Sequence, residues 1–497
     1  MGEYKTPGVY IKEKNAFGSS VVEVETAVPA FVGYTEKALN GTEDLTGKPW
    51  KINSMAEFIQ YFGGMRVPKY TVAAVPDGAA PAAGGSSFTV NTVDGDTKRL
   101  FSIGVDNNYT LYLNMLLFFA NGGGPCYVVS VGSYESEFKS SMLSEALTAL
   151  KSESEPTMVV IPEAVNFAVE DCVALQQAMA DHCGDQQNRV AILDVFIDRY
   201  PQDPTQTVDY AGNFRDAFST AYPSYVAAYY PYLATSVLSE GDITSDMIVF
   251  SGELKDFLAS LGLSDDQVNE LLKLAPDGFN ADLHQALMQN SPVYSQLVKA
   301  ILANLNLLPP SAAMAGVYAT TDKTRGVWKA PANVSINSIV KPSITINDED
   351  QKGLNMPMSG KAVNAIRSFP GEGLKVWGAR TLDGNSQDWR YVNVRRTMIY
   401  LEQSVKNAAR AYVFEPNDAS TWINMKCMIE NFLRSVWKRG GLAGAVPEDA
   451  YEVHIGLGDT MTADDILEGI LRITVLVAVS HPAEFIEITF QQQMQKS

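Results

Sequence analysis

The stretch Cys126–Ile161, CYVVSVGSYESEFKSSMLSEALTALKSESEPTMVVI, decides the fold. Cys126–Val131 is a short apolar run of strand length, a helix is expected near 142–151, and Met158–Pro162 is a second apolar run. Strand, helix and strand in that order predict a sheet with helices on its faces. Working outward, Tyr109–Ala120 reads as an apolar helix, broken by Asn121-Gly122-Gly123-Gly124-Pro125. Downstream, a helix near 168–183, a strand Val190–Asp194 and a Tyr/Ala-rich strand Tyr225–Tyr232 continue the alternation.

Beyond this core the chain changes character. Residues 1–30 form an N-terminal arm with two strand-like pieces, Gly8–Ile11 and Val21–Glu25, joined by a soft Gly/Ser stretch. Residues 31–68 hold a strand, Pro29–Tyr34, and a short helix, Ser54–Phe62. Residues 69–100 read as a surface loop, because VPDGAAPAAGGSSF is rich in Ala, Pro, Gly and Ser. Residues 236–308 read as a helical insertion: Ser264 to Gln267 make a capping box, Asn280 caps a helix, and Ser291-Pro292 opens another. The body is therefore expected over 31–235 and 309–415, with a C-terminal domain over 416–497. Helices are expected near Val392–Ala411 and Asp418–Arg439, strands at Tyr451–Leu457 and Leu471–Val479, and a final strand at Phe485–Phe490. The fold class is multi-domain, mixed α/β and α+β, with extended strand arms at both ends.

Composition excludes several functions. The chain has 497 residues, 46% hydrophobic and 19% charged, an ordinary globular balance. A net charge of −19 argues against coating nucleic acid, which needs a basic surface. No run of 18 apolar residues exists, so no membrane insertion is expected. The first residues lack a basic region followed by an apolar core, so synthesis in the cytoplasm without an export signal is expected. A surface adhesin would need such a signal. Cys126, Cys172, Cys183 and Cys427 are scattered without metal spacing and read as reduced thiols.

The search for chemistry finds little. His182, His284, His454 and His481 stand alone, without HxH or HExxH spacing. The Gly122–Gly124 run follows a helix and precedes a strand, the reverse of a phosphate cradle. No catalytic residue, cofactor or metal site is expected. The competing reading, an α/β enzyme with the 236–308 segment as a lid, would need a pocket gathering several of Asp194, His182 and Cys183.

One helix has a patterned surface. In DASTWINMKCMIENFLRSVWKRG, Trp422, Met425, Ile429, Phe432, Leu433 and Val436 recur at core spacing. Lys426, Glu430, Arg434 and Lys438 recur every four residues on another face, and Arg439 follows. That stripe is either a solvated face with i,i+4 pairs or a basic surface that docks on an acidic partner.

Several blocks, in order, resemble the contractile tail sheath proteins of phages and injection particles. They are Pro7–Ile11 with Val28–Thr35, Ala315–Ala319, Arg325–Asn333, Ile366–Gly371, Val376–Leu382, Trp389–Arg396 and Phe414–Asn417. The resemblance implies a structural subunit that stacks as six-fold rings around an inner tube and contracts to drive the tube through a target envelope. It implies as partners other copies of the chain, an inner tube protein, and baseplate and tail-terminator proteins, within a phage tail or a released or anchored particle. For a lattice that must slide without letting go, strand exchange between copies is the expected fastening. Val9, Tyr10, Ile11, Val22, Val24, Ile486, Ile488 and Phe490 are the expected exchange residues. Lys426, Arg434, Lys438 and Arg439 are the expected inner-tube contact, and 236–308 is expected on the outer surface.

Overall fold

The computed structural model describes residues 21–76, 86–201 and 207–488. The chain separates into two compact units, one of residues 25–396 and one of 1–24 with 397–497.

A nine-stranded sheet forms the centre of the larger unit. Its order is Val334–Ser335, Gly373–Val376, Val363–Phe369, Val226–Tyr230, Val190–Asp194, Met158–Val160, Pro29–Thr35, Cys126–Ser133 and Trp50–Ile52. The six strands from Val363–Phe369 to Cys126–Ser133 run parallel. Four of them, Pro29–Thr35, Met158–Val160, Val190–Asp194 and Val226–Tyr230, are buried along their whole length. Near-continuous apolar runs are what a parallel sheet covered on both faces requires. Pro29–Thr35 lies between Cys126–Ser133 and Met158–Val160, so Pro29 and Ala30 belong to the sheet and not to the arm.

Helices Leu111–Ala120 and Ser311–Arg325 pack together beside this sheet. Gly316 permits the approach: a Cβ there would lie 2.7 Å from both the Asn121 Cβ and the Phe118 carbonyl oxygen. Both helices begin on buried carboxylates. Glu163 accepts hydrogen bonds from the backbone N–H groups of Tyr34 (2.9 Å), Thr110 (2.8 Å) and Leu111 (3.0 Å). Asp194 accepts from the Ser311 N–H (2.7 Å) and hydroxyl (2.5 Å). Each satisfies orphan donors at a helix start. At the far end of the second helix, Asp322 binds Arg396 through two contacts of 2.9 and 2.5 Å, both side chains being almost wholly buried.

Residues 69–100 are not a surface loop. Lys69–Val75, Ser87–Asp94 and Thr97–Asp106 form an antiparallel meander, joined at its edge by Ile248–Phe250. The alternation of Tyr70 and Val72, and of Phe101 and Ile103, builds the buried face. Most of the Ala/Pro/Gly run between the first two strands lies outside the described residues. Residues 236–308 supply Ile248–Phe250 and four helices, of which Pro292–Leu305 packs on Ser87–Asp94. The two segments therefore share one core. Ser264, Asn280 and Ser291 cap their helices through side-chain hydrogen bonds.

In the smaller unit, Ala419–Lys438 is capped by Asp418 and buries Met425, Met428, Ile429, Phe432, Leu433 and Val436. The unit boundary falls inside helix Val392–Ala409, ahead of residue 416. Tyr451–His454 and Thr474–Val477 form a two-stranded antiparallel sheet. The described residues at 21–25 and 481–488 carry no strand.

Burial outweighs the three hydrogen bonds at Glu163 and pushes its carboxyl up from 4.5 to about 7. A carboxyl raised in the folded state binds protons preferentially there, so its contribution to stability is full below about pH 4.5 and is lost as pH rises through about 7. Glu163→Gln is therefore expected to show a shallower fall in melting temperature than the parent between pH 5 and 7.5. Calorimetry across that range checks it; parallel profiles would show that this carboxyl does not titrate there.

Candidate functional site

The smaller unit concentrates exposed apolar side chains. Leu476 lies on the two-stranded sheet, Phe485, Ile486 and Ile488 lie on the C-terminal segment, and Val22 lies near the N-terminus; all are exposed. Phe414 is 103% exposed and holds a left-handed backbone, with φ of 70°. That conformation costs a non-glycine residue about 1–2 kcal/mol, and full exposure returns no packing energy. A two-stranded sheet is marginal by itself, and no third strand joins this one among the described residues. Of the expected exchange residues, Val22 is exposed, Val24 is half-buried, and Ile486 and Ile488 are exposed. Val9, Tyr10, Ile11 and Phe490 lie outside the described residues.

The patterned helix divides as its spacing implies. On its solvent side, Arg434 and Lys438 are exposed, and Arg434 reaches the Tyr451 hydroxyl at 3.3 Å. Lys426 stands 3.9 Å from Glu430, an i,i+4 pair. Arg439 is engaged elsewhere. It donates to both Glu23 carboxylate oxygens, at 3.0 and 2.6 Å, and to the Tyr400 hydroxyl at 3.2 Å. Although partial burial opposes its charge, the hydrogen bonds to Glu23 and Tyr400 hold its pKa above the ordinary range. The spacing of the helix carries no signal of this partner, which lies 416 positions away in the chain. The Trp422 indole donates to the Asn417 side-chain oxygen at 2.7 Å, fixing the approach to the helix.

The residues of the competing enzymatic reading are each engaged in structure. Asp194 is bound by Ser311. His182 Nε2 lies 3.3 Å from the buried Arg189 guanidinium, and burial together with that charge pushes its pKa down to about 4. Burial pushes the Cys183 thiol up to about 12, far from a nucleophilic thiolate. Among the described residues, no group of three or more His, Cys, Asp or Glu side chains is placed to hold a metal, and no helix is long and apolar enough to cross a membrane.

The family described as Phage tail sheath C-terminal domain matches residues 385–493. The tail sheath protein of Vibrio phage KVP40 is 25% identical over 138 residues, which is 27% of this chain and 20% of that protein. The chain thus spans a fifth of the length of that curated relative. Among solved structures, the contracted helical sheath of the anti-feeding prophage covers 99% of this chain and 100% of its own, at 27% identity and a TM-score of 0.60. The chain is similar to contractile tail sheath proteins, in sequence over its C-terminal part and in fold over nearly its whole length. Another sheath structure, from the contracted PVC sheath complex of an extracellular contractile injection system, matches at 27% identity, 99% coverage of both chains and a TM-score of 0.58. The named sheath relatives are structural proteins.

Cys126, Cys172 and Cys183 are buried, whereas Cys427 is exposed on the solvent side of the patterned helix. A maleimide is expected to label one thiol per folded, unassembled chain and four after unfolding in urea, counted by mass spectrometry. No label on the folded chain would place that helix face wrongly, and more than one would contradict the burial of Cys126, Cys172 and Cys183.

Proposed function

We propose that this chain is the structural subunit of a contractile sheath, stacking as six-fold rings around an inner tube and contracting to drive that tube through a target envelope. The observation that carries the reading is the unfinished sheet of the smaller unit, flanked by exposed apolar residues, in a chain similar over 99% of its length to sheath subunits. An open sheet edge offers main-chain donors and acceptors to any extended segment, and strand addition satisfies them with little demand on sequence.

In this reading, the arm residues Val9, Tyr10, Ile11, Val22 and Val24 of one copy and the C-terminal residues Ile486, Ile488 and Phe490 of another complete the sheet of a third. Contraction then moves rigid bodies while the exchanged strands stay paired. The tube contact falls on Arg434 and Lys438, with Lys426 tempered by Glu430 and Arg439 by Glu23. The 236–308 segment, with its partner sheet, occupies the outer surface. Baseplate and tail-terminator proteins cap the two ends of the assembly.

Removing residues 1–20 is expected to abolish helical assembly in electron micrographs while leaving the melting transition of the body in place; normal polymers from the truncated chain would sink strand exchange. The double reversal Arg434→Glu with Lys438→Glu is expected to weaken co-assembly on the tube by about tenfold or more, with added salt acting in the same direction on the parent. Co-sedimentation measures it, and unchanged binding would return the stripe to an ordinary solvated face.

A further inference from the structure

We infer that Arg439 and Glu23 form an ionic clasp that fixes the point at which the N-terminal arm leaves its own subunit, presenting the arm to a second copy of this chain. The inference rests on the strand-exchange reading and names residues that position the exchanged segment.

The clasp is built from several parts of one unit. Glu23 meets Arg439 in a two-pronged contact, the geometry in which guanidinium and carboxylate bind with directional preference. Arg439 is the C-cap residue of helix Ala419–Lys438, where a cation is favoured by the negative end of the helix dipole. It also donates to the Tyr400 hydroxyl, and Tyr400 is itself buried, with its ring 5.9 Å from that of Phe432. One turn further along the helix that carries Tyr400, the buried Ser404 hydroxyl accepts the Val24 N–H at 3.2 Å. Two consecutive arm residues are therefore held, one by its side chain and one by its backbone. Immediately downstream, within the larger unit, the Thr26 carbonyl accepts from Arg396 at 2.9 Å and the Val28 N–H donates to Thr157 at 2.9 Å.

This pinning has a mechanical consequence. With the clasp open, the pivot retreats to Val24, which Ser404 alone then holds, and the tether gains one residue, roughly 3.5 Å of slack. A longer tether with an unfixed origin lowers the effective concentration of its strand at a neighbour's sheet edge. Arg439 is thus a positioning residue for exchange.

The test is a charge swap in the full-length chain. Arg439→Glu and Glu23→Arg, made singly, are each expected to raise the protein concentration needed for polymerisation by about two- to fivefold, the size expected for losing a partly exposed pair. The combined swap is expected to bring that concentration back to within about twofold of the parent. Sedimentation with electron microscopy gives the reading, and circular dichroism confirms that each variant is folded. Singles that polymerise like the parent, or a combined variant no better than the worse single, would overturn the clasp. Deletion of residues 1–20 runs alongside. If it abolishes assembly while the reversals do nothing, the clasp fails and strand exchange stands; if it leaves assembly intact, strand exchange itself fails.

Discussion

Backbone donors and acceptors along a strand edge must be paired or left to water, and among the described residues the smaller unit carries a sheet of only two strands. A soluble protein ordinarily blunts such an edge with charge, proline or a covering loop. Here the edge is accompanied by Leu476, Phe485, Ile486 and Ile488 in exposed positions. The combination is a poor design for a monomer and a sound one for a polymer, because each added strand removes polar edge and apolar side chain from water together. Under the proposed function, the rest of the architecture supports this edge with a stiff body and with chain ends that supply strands to other copies.

Stiffness in the body comes from charges placed where they cannot move cheaply. Glu163 joins the strand Pro29–Thr35, the start of helix Leu111–Ala120 and its own turn through one carboxylate. Asp194 does the same for the second helix, and the Asp322–Arg396 pair locks that helix at its other end. A buried pair adds little net stability against an apolar replacement, but breaking one partner costs about 3–5 kcal/mol. Such contacts have one satisfied geometry and penalise intermediates. That is the rigidity the proposed contraction asks of the body.

How much of this was readable depends on distance along the chain. Caps at Ser264, Asn280 and Ser291 were legible because donor and acceptor lie within three residues of each other. The core face of Ala419–Lys438 was largely legible because helical spacing fixes it; Trp422, expected in the core, is only half-buried, and the buried Met428 sits between two expected positions. The parallel alternation from Cys126 onward was legible as local runs. The place of Pro29–Thr35 at the centre of the sheet was not, since nothing local encodes pairing with strands about a hundred residues away. The meander over 69–106 was hidden by the composition of its own connection: Ala, Pro and Gly dominate the middle of the segment and masked the alternation on either side. Arg439 fits a basic stripe in sequence, and only the fold brings Glu23 to it.

That last case bears on how a weak contact gains consequence. An exposed ion pair contributes about 0.2–1 kcal/mol, too little to matter to the folding of a 497-residue chain. Its leverage lies in location. Glu23 stands at the root of a segment proposed to act in another subunit, so the pair restricts where the whole arm begins instead of adding one more contact to a core. In a lattice every copy repeats the same restriction, and every strand exchanged depends on the root from which it started. A small energy at a pivot is then multiplied by geometry along the arm and by copy number along the assembly. Cores set whether such a protein folds, whereas contacts of this modest size, at the few points where chain passes from one subunit to the next, set how it assembles.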